Sequence, residues 1–241
     1  MSQNTKAIAA EQVAAATRML VMEGILDYSG HIAARLPGGD RFMIQSATDS
    51  RAELDPSRIL VVDMDGNVVE GGLKPPLELA LHLEILKARP DVQAVLHCHM
   101  ELAISFTLMR DVQLLALRSR AVRWADGIPT HPDPSLIRST EQGQALAETL
   151  GSHNAALIRS HGMVLVAESV PALFVDAVHF LENARQQMTV MQAGQEPVPL
   201  TPEEIALIDS PRQFHIDKLW NFYVRQGKAR SIIPQDWSAG L

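Results

Sequence analysis

Hydrophobic positions recur along this chain with two different periods. From Glu11 to Leu26, Val13, Ala16 and Leu20 follow helical spacing with alanine between them, which predicts a first helix. Tyr28-Ser29-Gly30-His31 interrupts it, and shorter apolar runs follow. Ile32-Ala33-Ala34-Arg35-Leu36 reads as a strand, Pro37-Gly38-Gly39-Asp40 as a turn, and Arg41-Phe42-Met43-Ile44-Gln45 as the return strand of a hairpin. Residues 46–51 are polar and read as a loop. Ile59-Leu60-Val61-Val62-Asp63 is a buried-type strand, and Asp65-Gly66-Asn67 turns into Val68-Val69-Glu70. After Pro75-Pro76, residues Leu77, Ala80, Leu81, Ile85 and Ala88 mark an amphipathic helix that ends before Pro90. Further strands are expected at 92–97, 112–117, 155–159 and 163–167, and helices at 100–109 and 136–150. Ser169 caps and Pro171 opens a long helix, Thr201-Pro202 starts another, and 214–224 forms the last. Helices and strands mix throughout with no repeat and no linker. One α/β domain over 1–241 is the expectation, with 196–241 as a C-terminal helical extension.

Composition narrows this picture without redirecting it. A chain of 241 residues that is 46% hydrophobic and 20% charged can bury a sizeable core. A net charge of −7 argues against a nucleic-acid partner, which usually demands a basic face. Cys98 is the single cysteine, so no internal disulfide forms, and a reducing cytoplasmic setting is expected. No run approaches the roughly 18 apolar residues of a membrane span, so no membrane partner is expected.

The candidate chemistry centres on Ala94-Val95-Leu96-His97-Cys98-His99. Residues i and i+2 of a strand share a face, so His97 and His99 project together from the strand's end, as suits a divalent metal. His161 also ends an apolar strand, and Gly162 after it permits a sharp turn. Glu78 falls in the first turn of the helix after Pro75-Pro76, where the helix dipole favours a carboxylate by roughly 0.3–1 kcal/mol. A chain that returns antiparallel would bring it near the H-x-H pair. His82, one turn further on, is expected to pack; His131, His153, His179 and His215 show no ligand pattern. Phosphate-cradling glycine loops and a G-x-S-x-G elbow are absent. Cys98 points to the face opposite the two histidines and reads as a small buried residue.

Taken together, an acidic residue at a helix start, then A-R-P-D-V-Q-A-V-L-H-C-H, then R-S-H-G-M-V before a long helix resembles the class II aldolase/adducin family, from about Val13 to Gly194. The resemblance implies a three-layer α/β/α sandwich with a mainly antiparallel central sheet. It implies His97, His99 and His161 as ligands of a divalent metal, Zn or else Mn, Fe or Co, with Glu78 as fourth ligand or catalytic acid/base. It also implies a homotetramer with active sites at subunit interfaces.

Three departures bear on substrate. Where phosphate-using members carry G-N, T-G and S-S-E, this chain has Gly30-His31, Ala47-Thr48-Asp49-Ser50 and Pro76-Leu77-Glu78. Pro76 and Leu77 offer no hydroxyl, and Asp49 would repel a phosphate. Arg118 and Arg120 fall about where relatives reach a neighbouring subunit's site, and guanidinium groups suit carboxylates. The expectation is therefore a metal-dependent lyase that decarboxylates a hydroxylated aromatic acid such as a dihydroxyphthalate or a pyridine dicarboxylate. Glu78 is the candidate proton donor and His31 the second candidate. Ser29, Arg118 and Arg120 are substrate-binding candidates, with Tyr223, which either closes over a site or packs a helix. The alternatives are an aldolase of an unphosphorylated hydroxy-keto acid or sugar, and a non-catalytic adducin-like assembly module.

Overall fold

The computed structural model describes residues 3–208 and 211–240, so Met1, Ser2, Asp209, Ser210 and Leu241 lie outside the described residues. In chain order the elements are α1 (Gln3–Met22), β1 (His31–Arg35), β2 (Arg41–Gln45), β3 (Ile59–Asp63), β4 (Val68–Glu70), α2 (Leu79–Ala88), β5 (Ala94–Cys98), α3 (Glu101–Thr107), β6 (Thr130–His131), α4 (Thr140–Leu150), β7 (Ala155–Ile158), β8 (Gly162–Ala167), α5 (Val170–Gln192), α6 (Pro202–Leu207) and α7 (Arg212–Ala229). Short 3₁₀ turns cover Pro56–Arg58 and Ser119–Trp124.

The strands make one sheet in the order β4-β3-β2-β1-β5-β8-β7-β6, antiparallel except for the β6–β7 pair. Alternation divides each strand between two hydrophobic clusters. In β5, Ala94, Leu96 and Cys98 face the layer of α1, α5 and α7, while Val95 faces the layer of α2 and α4. The expected three-layer sandwich with a mainly antiparallel sheet is what the chain forms. His97 shares Val95's face by period, and His31 shares Ala33's. The register sets His31 directly opposite His97 across β1 and β5.

The differences from expectation have local causes. The first helix begins eight residues earlier than the pattern marks and stops at Met22, because Gly24 takes a φ of +69° that turns the chain out of the helix. Residues 112–117 are extended yet join no strand. Their backbone groups are satisfied by two amides of α5 instead. Asn183 bonds the N–H of Leu117 at 3.0 Å and the carbonyl of Leu115 at 2.7 Å, and Gln187 bonds Leu115 N–H at 2.7 Å and Gln113 C=O at 2.6 Å. The helix expected from Leu136 starts at Thr140, where Ser139 and Gln142 form a reciprocal capping box. The residues before it stay extended, which leaves the Ile137 N–H free to reach another partner. The β6 pairing was not foreseen, since two residues carry no periodicity.

Candidate metal centre

The centre is assembled where β5 ends, β8 begins and α2 starts. His97 is the fourth residue of β5 and His99 follows the strand. His161 sits in the tight β7–β8 turn, whose strain falls on Ser160 with a φ of +56°. Gly162 is needed for space rather than for turning: a Cβ there would lie 2.7 Å from the Cys98 carbonyl oxygen and 3.1 Å from the His97 ring. That close approach lets β8 bring His161 against the H-x-H pair. Glu78 is the residue immediately before α2, one position outside the expected first turn, and its side chain caps nothing. Its Oε1 instead accepts the Ile137 N–H at 3.0 Å, while Oε2 lies 3.3 Å from His97 Nε2 and Oε1 lies 3.5 Å from His161 Nε2.

One ligand atom from each of Glu78, His97, His99 and His161 lies within 4.8 Å of the others. The ring orientations are fixed from behind. His97 Nδ1 faces the Met163 carbonyl at 3.0 Å, and a carbonyl only accepts, so Nδ1 donates to it and the ring turns Nε2 toward Glu78. His99 Nδ1 lies 3.1 Å from Asp27 Oδ2. Burial opposes the ionised form of Asp27, but the N–H groups of Ser29 and Gly30 and the His99 ring hold its pKa below the usual range, so it accepts from Nδ1. Carboxylate or carbonyl partners of this kind aim a histidine's other nitrogen at a metal. The fit is tested by what is left over. His97 Nε2 and both nitrogens of His161 are buried without a hydrogen-bond partner. An unpaired buried polar atom costs about 1–3 kcal/mol, and a cation bound here would satisfy His97 Nε2 and one nitrogen of His161. Three neutral nitrogens and a carboxylate suit a divalent ion such as zinc or its first-row neighbours. Burial would raise the Glu78 carboxyl, but His97 and the Ile137 N–H outweigh it and bring its pKa down to about 2.

Beside the cluster opens a cavity of about 250 Å³, walled by Ser29, His31, Arg51 and Glu78 among others. His31 is 3% exposed, and its Nδ1 lies 2.7 Å from His82 Nε2. Burial, then the neighbouring rings and Arg51, hold the His31 pKa well below its usual value, so the ring is neutral. Tyr28, Leu77 and Leu136 are exposed apolar side chains, and all three line the mouth.

Residues 11–188 match the class II aldolase and adducin N-terminal domain family. The chain belongs to this family. Among curated class II aldolase relatives, 3,4-dihydroxyphthalate decarboxylase of Arthrobacter keyseri is 29% identical over 90% of this chain and 92% of its own. The protein of that name from Rhodococcus jostii (strain RHA1) is 31% identical over 80% and 82%. A solved aldolase II superfamily protein from Pseudomonas syringae superposes with a TM-score of 0.80 at 24% identity, covering 96% of both chains. That likeness shows the shared class II aldolase fold. Among the described residues, no helix is long and apolar enough to cross a membrane.

Of the residues singled out in the sequence, the structure brings together Glu78, His31, His97, His99, His161 and Ser29. It places three others elsewhere in the chain. Arg118 pairs with Glu182 of α5 at 2.5 Å, Arg120 is exposed beside a separate cavity, and Tyr223 packs on Phe174 and Phe222 from α7. Asp49, read as facing a ligand, is turned away. Its Oδ1 is held by Arg58 at 2.7 Å and its Oδ2 by Ser46 at 2.6 Å. His82 packs, fully buried, but also carries the bond to His31. Sequence reasoning missed Asp27 and Arg51. Both sit in polar stretches with no periodicity; the pairing of β1 with β5 brings Asp27 to His99, and that of β1 with β2 brings Arg51 to the Gly30 carbonyl. Cys98 faces the opposite layer, and burial pushes its thiol up to about 12, so it is no nucleophile.

Proposed function

We propose that this protein is a metal-dependent lyase that decarboxylates a hydroxylated aromatic acid of the dihydroxyphthalate type. The observation that carries the reading is the cavity wall beside Glu78. Pro76 and Leu77 stand where a phosphate pocket needs hydroxyl donors, and Tyr28, Leu77 and Leu136 offer an apolar rim to a ring. The decarboxylase relatives, aligned over most of the chain, support the same reading.

A divalent cation held by His97, His99, His161 and Glu78 would supply Lewis acidity at a ring oxygen beside the leaving carboxylate. The chain's own groups have distinct tasks. Glu78, with a pKa of about 2, is a carboxylate at neutral pH and so a ligand, not the proton donor. His31 is the group beside the cavity that can relay a proton: neutral in the resting site, it takes one up from solvent before passing it to the ring carbon. Its Nδ1 is engaged by His82, which leaves Nε2 as the nitrogen it offers to the cavity. Overall the carbon–carboxylate bond breaks, CO2 leaves, and the ring carbon gains one proton, which solvent replaces through His31. The apolar rim orients the ring and sheds water from the reacting face.

The test incubates purified, metal-analysed protein with dihydroxyphthalate-type acids and, in parallel, with unphosphorylated hydroxy-keto acids. CO2 release from the aromatic acids is the expected result. Pyruvate or aldehyde release from the keto acids, with no CO2 from any aromatic acid, would overturn it in favour of an aldolase.

A further inference from the structure

We propose that Arg51 is the receptor for a carboxylate on the substrate, the one that remains on the ring when the other leaves as CO2. The proposal rests on the decarboxylase reading above and names how that site would recognise its acid.

Among the described residues Arg51 is the one arginine buried from solvent, 3% exposed. No carboxylate lies within ion-pair distance of it among those residues. Asp49, two positions earlier, gives its carboxylate to Arg58 and Ser46, and Asp27 gives its own to His99 and to the N–H groups of Ser29 and Gly30. What holds the guanidinium is backbone carbonyl only. Nε donates to Gly30 O at 2.7 Å, and Nη1 donates to Asp49 O at 2.6 Å and Ser46 O at 3.1 Å. Nη2 reaches only Ser29 O, at 3.5 Å. Five N–H bonds are available to an arginine, so Nη2 keeps donor capacity. The side chain lines the same cavity as Glu78 and His31.

A buried charge without a counter-ion is costly, and arginine cannot relieve the cost by losing its proton. Two partly buried guanidinium groups, Arg123 and Arg212, meet this cost by facing the buried carboxylate of Asp176. Arg18 and Arg35 also bond carbonyls alone, but each is only half-buried and neither lines this cavity. Arg51 is thus rigidly pre-positioned by its carbonyls, desolvated, and short of one anion. A carboxylate on the ring atom next to the reacting carbon is the missing partner, because planar carboxylate and guanidinium pair side by side. The phosphate alternative is weaker, because Pro76 and Leu77 of the same cavity supply no side-chain donors for further oxygens.

The experiment compares two rings that differ only in their substituents, phthalate with two carboxylates and catechol with two hydroxyls. Each is titrated calorimetrically into the metal-loaded wild type, Arg51→Gln and Arg51→Lys. Phthalate is expected to bind the wild type and to weaken on the order of 30-fold in Arg51→Gln, the usual scale for losing a desolvated charge pair, and less in Arg51→Lys. Catechol affinity should change less than twofold, and that difference is one a general loosening of the site would not give. Ala47→Glu, an exposed cavity position whose new carboxylate would occupy Arg51, should abolish phthalate binding while the arginine keeps its backbone bonds. No phthalate binding to the wild type, or equal losses for the two rings, overturns the proposal. The underlying reading fails separately. Arg51-dependent phthalate binding without CO2 release from any aromatic acid leaves the receptor and removes the decarboxylase. CO2 release with an unchanged KM in Arg51→Gln does the reverse.

Discussion

Where β5 ends and β8 begins, three ring nitrogens crowd on one carboxylate; where β8 ends and α5 begins, buried charges pair with one another. At the second end Asp176 is 5% exposed and meets Arg212 at 2.9 Å and Arg123 at 2.9 Å. Glu168 lies against the same two arginines, and Glu182 of α5 pairs with Arg118. Burial still holds the Asp176 carboxyl above its usual range despite its two guanidinium partners. Charge there closes on itself. At the first end His97 Nε2 and both nitrogens of His161 are buried without a hydrogen bond, with Glu78 the one carboxylate shared between the two rings, and among the described residues the Arg51 guanidinium is held by carbonyls with no carboxylate in ion-pair distance. Both ends are rich in the residue types that sequence reading prizes. What separates a structural network from a binding site is whether the fold satisfies its own polar groups. Within one chain this sets Arg118, an attractive carboxylate receptor in the sequence, behind Arg51, because Glu182 already pairs with it.

The sharpest way to break the contrast is at the unsatisfied end. His161→Ala removes a ligand from the cluster, and bound metal should fall below about a tenth per chain with turnover down about 10³-fold, since the ion carries the electrostatic stabilisation. Elemental analysis and CO2 release measure both, and a variant that kept its metal and its rate would show that orphaned nitrogens do not mark the site. At the satisfied end, Asp176→Ala should cost about 3 kcal/mol in chemical denaturation, the low side for one partner of a buried pair because Glu168 still faces both arginines. Turnover per folded molecule should not change. A selective loss of turnover there would mean that this network is functional after all. The smallest effect is expected at Asp49. Arg58 and Ser46 outweigh its partial burial and keep its pKa below the model-peptide value. The folded pKa is thus lower than the unfolded one. Its contribution is therefore present above about pH 4 and fades as pH falls through the folded value. Wild type should exceed Asp49→Asn by about 1 kcal/mol or less at pH 7, with the gap closing as pH falls below the free-carboxylate value of about 4. A gap that widened with acid would reverse the sign of this pairing.

Much of the metal cluster was legible in the chain, for identifiable reasons. H-x-H at the end of an apolar run is a period-two statement, and it needs only the strand to be true. His161 before Gly162 was legible as a strand terminus, although the reason for the glycine was not, because the clash with the Cys98 carbonyl is between distant parts of the chain. Glu78 was found through the proline pair that fixes where α2 starts, yet its lowered pKa, which bears on the choice between ligand and acid/base, depends on His97 and the Ile137 N–H from 59 residues away. Asp27 and Arg51 were invisible for the same cause. Single polar residues in loops carry no local pattern, and their significance is set by what the pairing of β1 with β5 and β2 brings beside them. The run at 112–117 shows the converse failure, where strand-like sequence met two side-chain amides instead of a neighbouring strand.

The amino-acid sequence by itself determined the alternation of short apolar strands with amphipathic helices, the positions of the prolines and glycines that divide them, and the three histidines with one glutamate that match a known family. These are local or near-local properties of backbone and side-chain period. Tertiary structure alone decided which polar groups are left without partners. Satisfaction of a buried atom depends on every element packed around it, and burial makes each imbalance costly enough to point to a ligand.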